Sequence, residues 1–153
     1  MTKLCSDVLK ALSGKTLVTA ESLTGGGIGS ALTAVSGSSA VYKGGVISYT
    51  NWVKETVLGV PGDILARKGA VSEETAACMA KGVRKRLDAD VAVSVTGLAG
   101  PGGDEYGNPV GTVFIGYEDA YRCEVRHCVF CGSREDVRNQ TIEAALKLIL
   151  EFN

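Results

Sequence analysis

Between Thr16 and Ser30 the chain passes from β-forming apolar residues through three adjoining glycines into a new apolar run at helical spacing. Leu17, Val18 and Ala20 predict a short buried strand, Gly25, Gly26 and Gly27 a tight turn, and Ile28, Ala31, Leu32 and Val35 one face of a helix. A strand that turns straight into a helix leaves amide N–H groups free at the helix start, where the helix dipole is positive. Glycines let another molecule come close to that backbone. Ser22 and Thr24 are therefore expected to face an anion or a polarised carbonyl, with Gly25 and Gly26 beside them. The alternative is a structural turn whose serine and threonine only cap the helix.

A second unit of the same kind follows. Val91-Ala-Val-Ser-Val-Thr96 is almost continuously apolar, as expected of a central strand covered on both faces. It runs into the glycine-rich stretch Gly97 to Gly103. Ligands of open α/β sheets bind beyond the carboxyl ends of the strands, so both glycine loops are predicted to line one crevice.

The remaining segments fit around these two. Leu4, Val8, Ala11 and Leu12 predict a first helix ended at Ser13-Gly14, and Ser36 to Ser39 a loop. Val41 to Tyr49 reads as a strand, weakened by Gly44-Gly45, which mark a bulge or a close backbone contact. Thr50 or Asn51 is expected to cap a short helix to Leu58, Pro61 to start another over Gly62 to Lys68, and Ser72 to cap a longer one with the stripe Ala76, Ala80, Val83 and Leu87. Gly111 to Tyr117 and Tyr121 to Phe130 predict a hairpin, and Ser133 caps a last helix with the stripe Val137, Thr141, Ala144, Ala145, Leu148 and Phe152. Helices and strands interleave with a hairpin late in the chain, so the expected fold is a single α/β domain over residues 1–153, a three-layer α/β/α sandwich around a mixed sheet.

Composition narrows the function. The 153 residues carry 16 basic and 17 acidic side chains, a net charge of -1, and leave no electrostatic footprint for nucleic acid or an anionic membrane. No apolar run is long enough to cross a bilayer and the first residues lack a signal-peptide core, so a cytoplasmic protein is expected. The 5 cysteines are an odd number and predict no disulfide framework. Cys123, His127, Cys128 and Cys131 cluster in the sequence, but with one Cys-x-x-Cys inside a strand pattern. Strand alternation sets Cys123 and Cys131 on one face and Cys128 on the other, which favours small apolar packing over a zinc site.

Which chemistry the glycine loops serve is less direct. Neither carries a dinucleotide fingerprint or a P-loop lysine. His127, the one histidine, lies in the hairpin and reads as a packed or edge residue, so a Ser-His-Asp triad lacks its base. If Ser22 is a nucleophile, a desolvated lysine is the remaining acceptor for its proton, and Lys54 after the Val41–Tyr49 strand is the candidate. The alternative for Lys54 is an ordinary surface lysine on a helix.

Ala20-Glu-Ser-Leu-Thr-Gly-Gly26, Gly37-Ser-Ser39, Tyr49-Thr-Asn-Trp-Val-Lys54, Gly69-Ala-Val-Ser72, Thr96-Gly-Leu-Ala-Gly-Pro101 and Pro109-Val-Gly-Thr-Val113 occur in this order. Together they resemble the C-terminal domain of the competence/damage-inducible CinA family, the nicotinamide-nucleotide amidases. The likeness is to the stand-alone amidase form, without the molybdopterin-binding-like domain that many members carry in front. It implies hydrolysis of the carboxamide of nicotinamide mononucleotide to nicotinic acid mononucleotide and ammonia, as in Ser-Lys amidohydrolases and in pyridine nucleotide salvage. Ser22 is the implied nucleophile, Lys54 the implied base, and Tyr49 a neighbour of the dyad. Thr24, Gly25, Gly26, Ser39, Asn51, Thr96, Gly97 and Arg138 are the implied substrate contacts, with Arg138 or a helix N-terminus holding the phosphate. Leu23 stands where the family more often has cysteine, a change that spares the dyad. No metal and no cofactor is implied. The expected partners are the small-molecule nucleotide and further copies of the chain in a homo-oligomer, not nucleic acid or a membrane.

Overall fold

The computed structural model describes all 153 residues and contains five strands and six α-helices. In chain order these are α1 (Thr2–Ala11), β1 (Leu17–Glu21), α2 (Gly27–Thr33), a 3-10 turn at Ser38–Ala40, β2 (Tyr42–Ile47), α3 (Asn51–Thr56), α4 (Gly62–Lys68), α5 (Glu73–Arg86), β3 (Val91–Gly97), β4 (Thr112–Glu118), β5 (Cys123–Val129) and α6 (Arg134–Glu151). The sheet order is β2-β1-β3-β4-β5. β1 runs parallel to β2 and β3, while β3–β4 and β4–β5 are antiparallel, so the sheet is mixed as expected.

Strand alternation divides the core between two faces. Leu17, Val91, Val93 and Val95 pack with Val8, Ile28, Val137 and Ile149 beneath α1, α2 and α6. Val18, Ala20 and Ala92 point the other way, onto Leu58, Leu65, Met79 and Val83 from α3 to α5. β3 is central and buried on both faces, as its valine-rich sequence predicts.

The chain leaves β1 through α2 to reach β2 on one side. It then crosses the opposite face through α3, α4 and α5 to enter β3 on the other side of β1. Connections that diverge in this way open a crevice past the carboxyl ends of β1 and β3. Both glycine loops lie there.

Local chemistry sets the helix starts. Thr50, not Asn51, caps α3 by accepting the amide of Val53, and Ser72 accepts the amide of Thr75 at the start of α5. Ser133 and Asp136 form a reciprocal capping box on α6. β2 stops at Ile47, short of the expected Tyr49, because Ser48 and Tyr49 turn the chain into α3. Within β2, Gly45 is needed for a close approach: a β-carbon there would lie 2.2 Å from the Thr19 hydroxyl oxygen. No helix is long and apolar enough to cross a membrane.

Candidate active site

Ser22 is the first residue past β1. Its amide donates to Val95 O of β3 (3.0 Å), which fixes the serine above the gap between β1 and β3. The next turn is made by Gly25 and Gly26, both in the left-handed region with φ of 57° and 97°, where a side chain would be strained. On the facing side, Ser48 donates its amide to Glu21 O (2.8 Å), and the turn delivers α3 across the mouth of the crevice. α3 points Lys54 inward.

The Lys54 amine lies 2.9 Å from Ser22 Oγ, 2.6 Å from Ser48 O and 3.3 Å from Tyr49 O. Lys54 is only 1 % exposed, far from the surface lysine that its helical position alone suggests, and Ser22 is also buried. No carboxylate forms an ion pair with the amine. Burial therefore acts without compensation and pushes its pKa down from 10.5 to about 8. A neutral amine has two N–H donors and one lone pair. With both hydrogens given to the Ser48 and Tyr49 carbonyls, the lone pair is left for the Ser22 hydroxyl.

A cavity of about 300 Å³ opens over this pair, at the small end of the range of about 300–1,000 Å³ for small-molecule sites. Tyr49, Thr96, Gly97 and Arg134 line it with Ser22 and Lys54. Thr96 is buried and donates its hydroxyl to Ala70 O (2.7 Å). Gly97 gives the backbone room, since a β-carbon there would meet Thr112 O at 2.7 Å. The amides of Leu23, Ala99 and Gly100 make no hydrogen bond within the chain, and all three residues line the cavity. Free amides beside a serine hydroxyl are the groups that hold an oxyanion. A larger groove, of about 630 Å³, lies between the α3–α4 turn and α5, but its Lys81, Lys85 and Arg86 face no nucleophile and base in contact.

The other residues singled out from sequence are placed differently. Thr24 is buried with its hydroxyl given to Glu21 Oε1 (2.6 Å), so it faces its own chain and not the cavity. The start of α2 is not an open anion site either: Glu21 is only 2 % exposed and accepts the amides of Ile28 (2.8 Å) and Gly29 (3.0 Å). Gly25 and Gly26 shape the turn without lining the cavity. Arg138 donates to Leu23 O (2.9 Å) and Thr24 O (3.3 Å) and braces the corner from behind. Asn51 is exposed at a neighbouring cleft with Leu98 and Tyr106. Ser39 precedes β2, at the opposite end of the sheet from Ser22 and Lys54, because parallel pairing sets the start of β2 beside Leu17. His127 stacks on Phe114 with ring centroids 4.5 Å apart, Cys128 packs on the core, and Cys123 and Cys131 are exposed.

Two side chains at the site were not among those expected. Arg134, one helical turn before Arg138, donates to Gly100 O (2.6 Å) and Tyr49 Oη (3.2 Å) and puts a cation on the cavity wall. Only the fold links it to residues so distant in sequence. Glu21 had a local signal: a carboxylate ending an apolar strand has to find donors, and the nearest are the free amides of the helix start that follows.

A profile of the CinA C-terminal domain family matches residues 1–153. A CinA-like protein of Synechococcus sp. (strain RCC307) is 54% identical over 95% of this chain and 36% of its own length. A putative competence-damage inducible protein of Moorella thermoacetica is 41% identical over 94% of this chain and 36% of its own. The chain thus spans about a third of the length of these curated relatives. A crystal structure of a CinA superfamily protein from Escherichia coli superposes with a TM-score of 0.97 at 36% identity, covering 99% of this chain and 90% of that one. One from Klebsiella pneumoniae 700603 superposes with a TM-score of 0.95 at 36% identity, covering 98% and 95%. The chain belongs to the CinA C-terminal domain family.

Proposed function

We propose that this protein is a metal-independent amidase that hydrolyses the carboxamide of nicotinamide mononucleotide through a Ser22–Lys54 dyad. The observation that carries the reading is the buried lysine amine 2.9 Å from the Ser22 hydroxyl, with its pKa lowered to about 8. An amine of that pKa has a substantial neutral fraction near pH 7.5, as a general base requires. The choice of substrate rests on the resemblance to the nicotinamide-nucleotide amidases.

The steps follow from the atoms present. The Ser22 oxygen bonds to the amide carbon as its proton passes to Lys54 Nζ. The carbonyl oxygen becomes an oxyanion beside the free amides of Leu23, Ala99 and Gly100, where removing one such donor typically costs about 2.7–4 kcal/mol of barrier. The carbon–nitrogen bond then breaks, and Lys54 returns the proton to the leaving nitrogen, which departs as ammonia. Lys54, neutral again, takes a proton from a water that attacks the acyl ester. As the acyl–oxygen bond breaks, Lys54 gives that proton to the Ser22 oxygen, which releases the acid and restores the Ser22 hydroxyl. The guanidinium of Arg134 is the cation on the cavity wall and holds the substrate phosphate through charge-assisted hydrogen bonds.

The test is ammonia release from nicotinamide mononucleotide by purified protein in EDTA. Turnover by the wild type and its loss in Ser22→Ala are expected. Full release by Ser22→Ala rejects the dyad, and saturable nucleotide binding without ammonia would make the protein a binding module.

A further inference from the structure

We propose that Glu21 is a positioning residue for this centre: its carboxylate holds the α2 side of the corner so that Ser22 stays in register with Lys54. Its consequence for turnover rests on the amidase reading above.

Glu21 does not line the cavity, so it acts through its neighbours. Oε1 accepts the Thr24 hydroxyl at 2.6 Å and the Ile28 amide at 2.8 Å. Oε2 accepts the Gly29 amide at 3.0 Å and the Thr19 hydroxyl at 3.4 Å. Tyr42 Oη lies 2.8 Å from that threonine oxygen and extends the network toward β2. Space for the network is kept by two glycines: a β-carbon on Gly29 would stand 2.6 Å from Tyr42 Oη, and one on Gly45 2.2 Å from Thr19 Oγ1.

The same residue reaches both partners of the dyad. Ser22 is its covalent neighbour. Its carbonyl accepts the Ser48 amide at 2.8 Å, and the Ser48 carbonyl in turn accepts the Lys54 amine at 2.6 Å. Glu21 therefore ties the start of α2, the serine and the turn that carries the lysine into one unit. Because it fills the start of α2, the anionic end of a substrate is turned toward Arg134 instead.

A carboxylate is required at this position, beyond its shape. Both oxygens face an amide N–H that can only donate. The NH₂ of a glutamine would point a donor at Ile28 or at Gly29 in either orientation.

The experiment compares Glu21→Gln and Thr24→Val with wild type, each confirmed as folded by circular dichroism at the assay temperature. Three quantities are read: kcat and KM for nicotinamide mononucleotide, the pH profile, and the rate at which a fluorophosphonate probe labels Ser22. In Glu21→Gln, kcat is expected to fall about 100-fold, the loss typical of a misplacement of about 1 Å. KM should stay within about threefold, since the loss lies in the transition state and not in uniform binding. Labelling should fall in parallel, and the inflection near pH 8 should stay, because Lys54 keeps its burial. Thr24→Val removes one bond and keeps the charge, so its loss should be smaller, about tenfold, as for one hydrogen bond to a charged group.

Folded Glu21→Gln with wild-type kcat and labelling overturns the proposal, as does a rise in KM at unchanged kcat. Should Glu21→Gln not fold, Thr24→Val decides by the same readouts. Wild-type protein that is labelled at Ser22 but releases no ammonia sinks the amidase reading alone, and labelling of the variants still decides the role of Glu21. Wild type that is neither labelled nor active sinks both.

Discussion

Two charged side chains are buried on either side of Ser22, and their surroundings are opposite in kind. On the α2 side, the Glu21 carboxylate meets four donors and fills both its oxygens. On the α3 side, the Lys54 amine has two carbonyls, the serine hydroxyl and no counter-ion. Ser48, next to it, buries a hydroxyl with no partner at all. A buried carboxylate that is fully hydrogen-bonded is fixed in place. A buried charge that is only desolvated is poised to lose its charge. The saturated side is suited to holding a shape and the sparse side to moving a proton.

The largest expected effect is at the sparse side. Lys54→Met removes the proton acceptor while filling much the same volume, and kcat for the amide should fall by about 10²–10⁴, the usual contribution of general acid–base catalysis. Ammonia release in a coupled assay measures it. A variant that keeps more than about a tenth of the wild-type rate would move the base elsewhere and end the contrast between the two sides.

The pH dependence has a definite sign. Lys54 acts as a base only when neutral, and its pKa is about 8. The logarithm of kcat/KM should therefore rise with slope one as pH increases toward about 8 and level off above it. A profile flat from pH 6 to 9 would mean that the amine is not the titrating group.

The two sides also differ in how far sequence alone discloses them. The strand, the glycine turn, the helix caps at Ser72 and Ser133, a cap at Thr50 or Asn51 and the central position of Val91–Gly97 follow from local periodicity and side-chain chemistry. The meeting of Ser22 with Lys54 is not local; it depends on α3 crossing the mouth of the crevice, and in the sequence it rests on the lack of a histidine base and on the family motifs. The filling of α2 by Glu21 lies outside what the glycine turn predicts, an open helix start, although the residue that fills it stands seven positions before Ile28. The motif around Ser39 predicts a place in the site, but parallel pairing of β1 with β2 puts the start and end of β2 at opposite ends of the sheet. Of the two arginines on α6, side-chain direction alone decides which one reaches the cavity, and no periodicity in the sequence carries that.

Stability should show the cost of the uncompensated lysine. A fall in pKa from 10.5 to about 8 corresponds to about 3 kcal/mol of destabilisation of the charged form in the folded state. Between these values the unfolded chain binds more protons than the folded one, so wild-type stability rises with pH there. Relative to Lys54→Met, the wild type should gain about 3 kcal/mol between pH 7.5 and 10.5, with the penalty complete below about 8. Urea unfolding of both proteins across that range measures the difference. A constant difference would mean that the amine is not desolvated.

The arginines of α6 sharpen the contrast on a smaller scale. Arg134→Ala should raise KM for the nucleotide roughly 10- to 100-fold, equivalent to about 1.5–3 kcal/mol for a charge-assisted hydrogen bond, with a lesser change in kcat. Arg138→Ala, which frees the Leu23 and Thr24 carbonyls, should lower kcat and thermal stability while leaving KM near wild type. Steady-state kinetics distinguish the two, and the reverse pattern would assign the phosphate to Arg138 after all.

The smallest effect tests the sparse side from within. The Ser48 hydroxyl oxygen is buried without a partner, whereas Lys54 is held by the Ser48 carbonyl, which alanine retains. A buried hydroxyl left unpaired costs about 1–3 kcal/mol, and its removal forfeits only the packing of one atom. Ser48→Ala should therefore leave the urea midpoint unchanged or raise it, by up to about 1 kcal/mol of stability. A loss of about 1 kcal/mol or more would reveal a partner for that oxygen, such as a bound water shared with the lysine. The α3 side would then be better hydrogen-bonded than its bare contacts indicate, and the amine beside Ser22 less free to give up its charge.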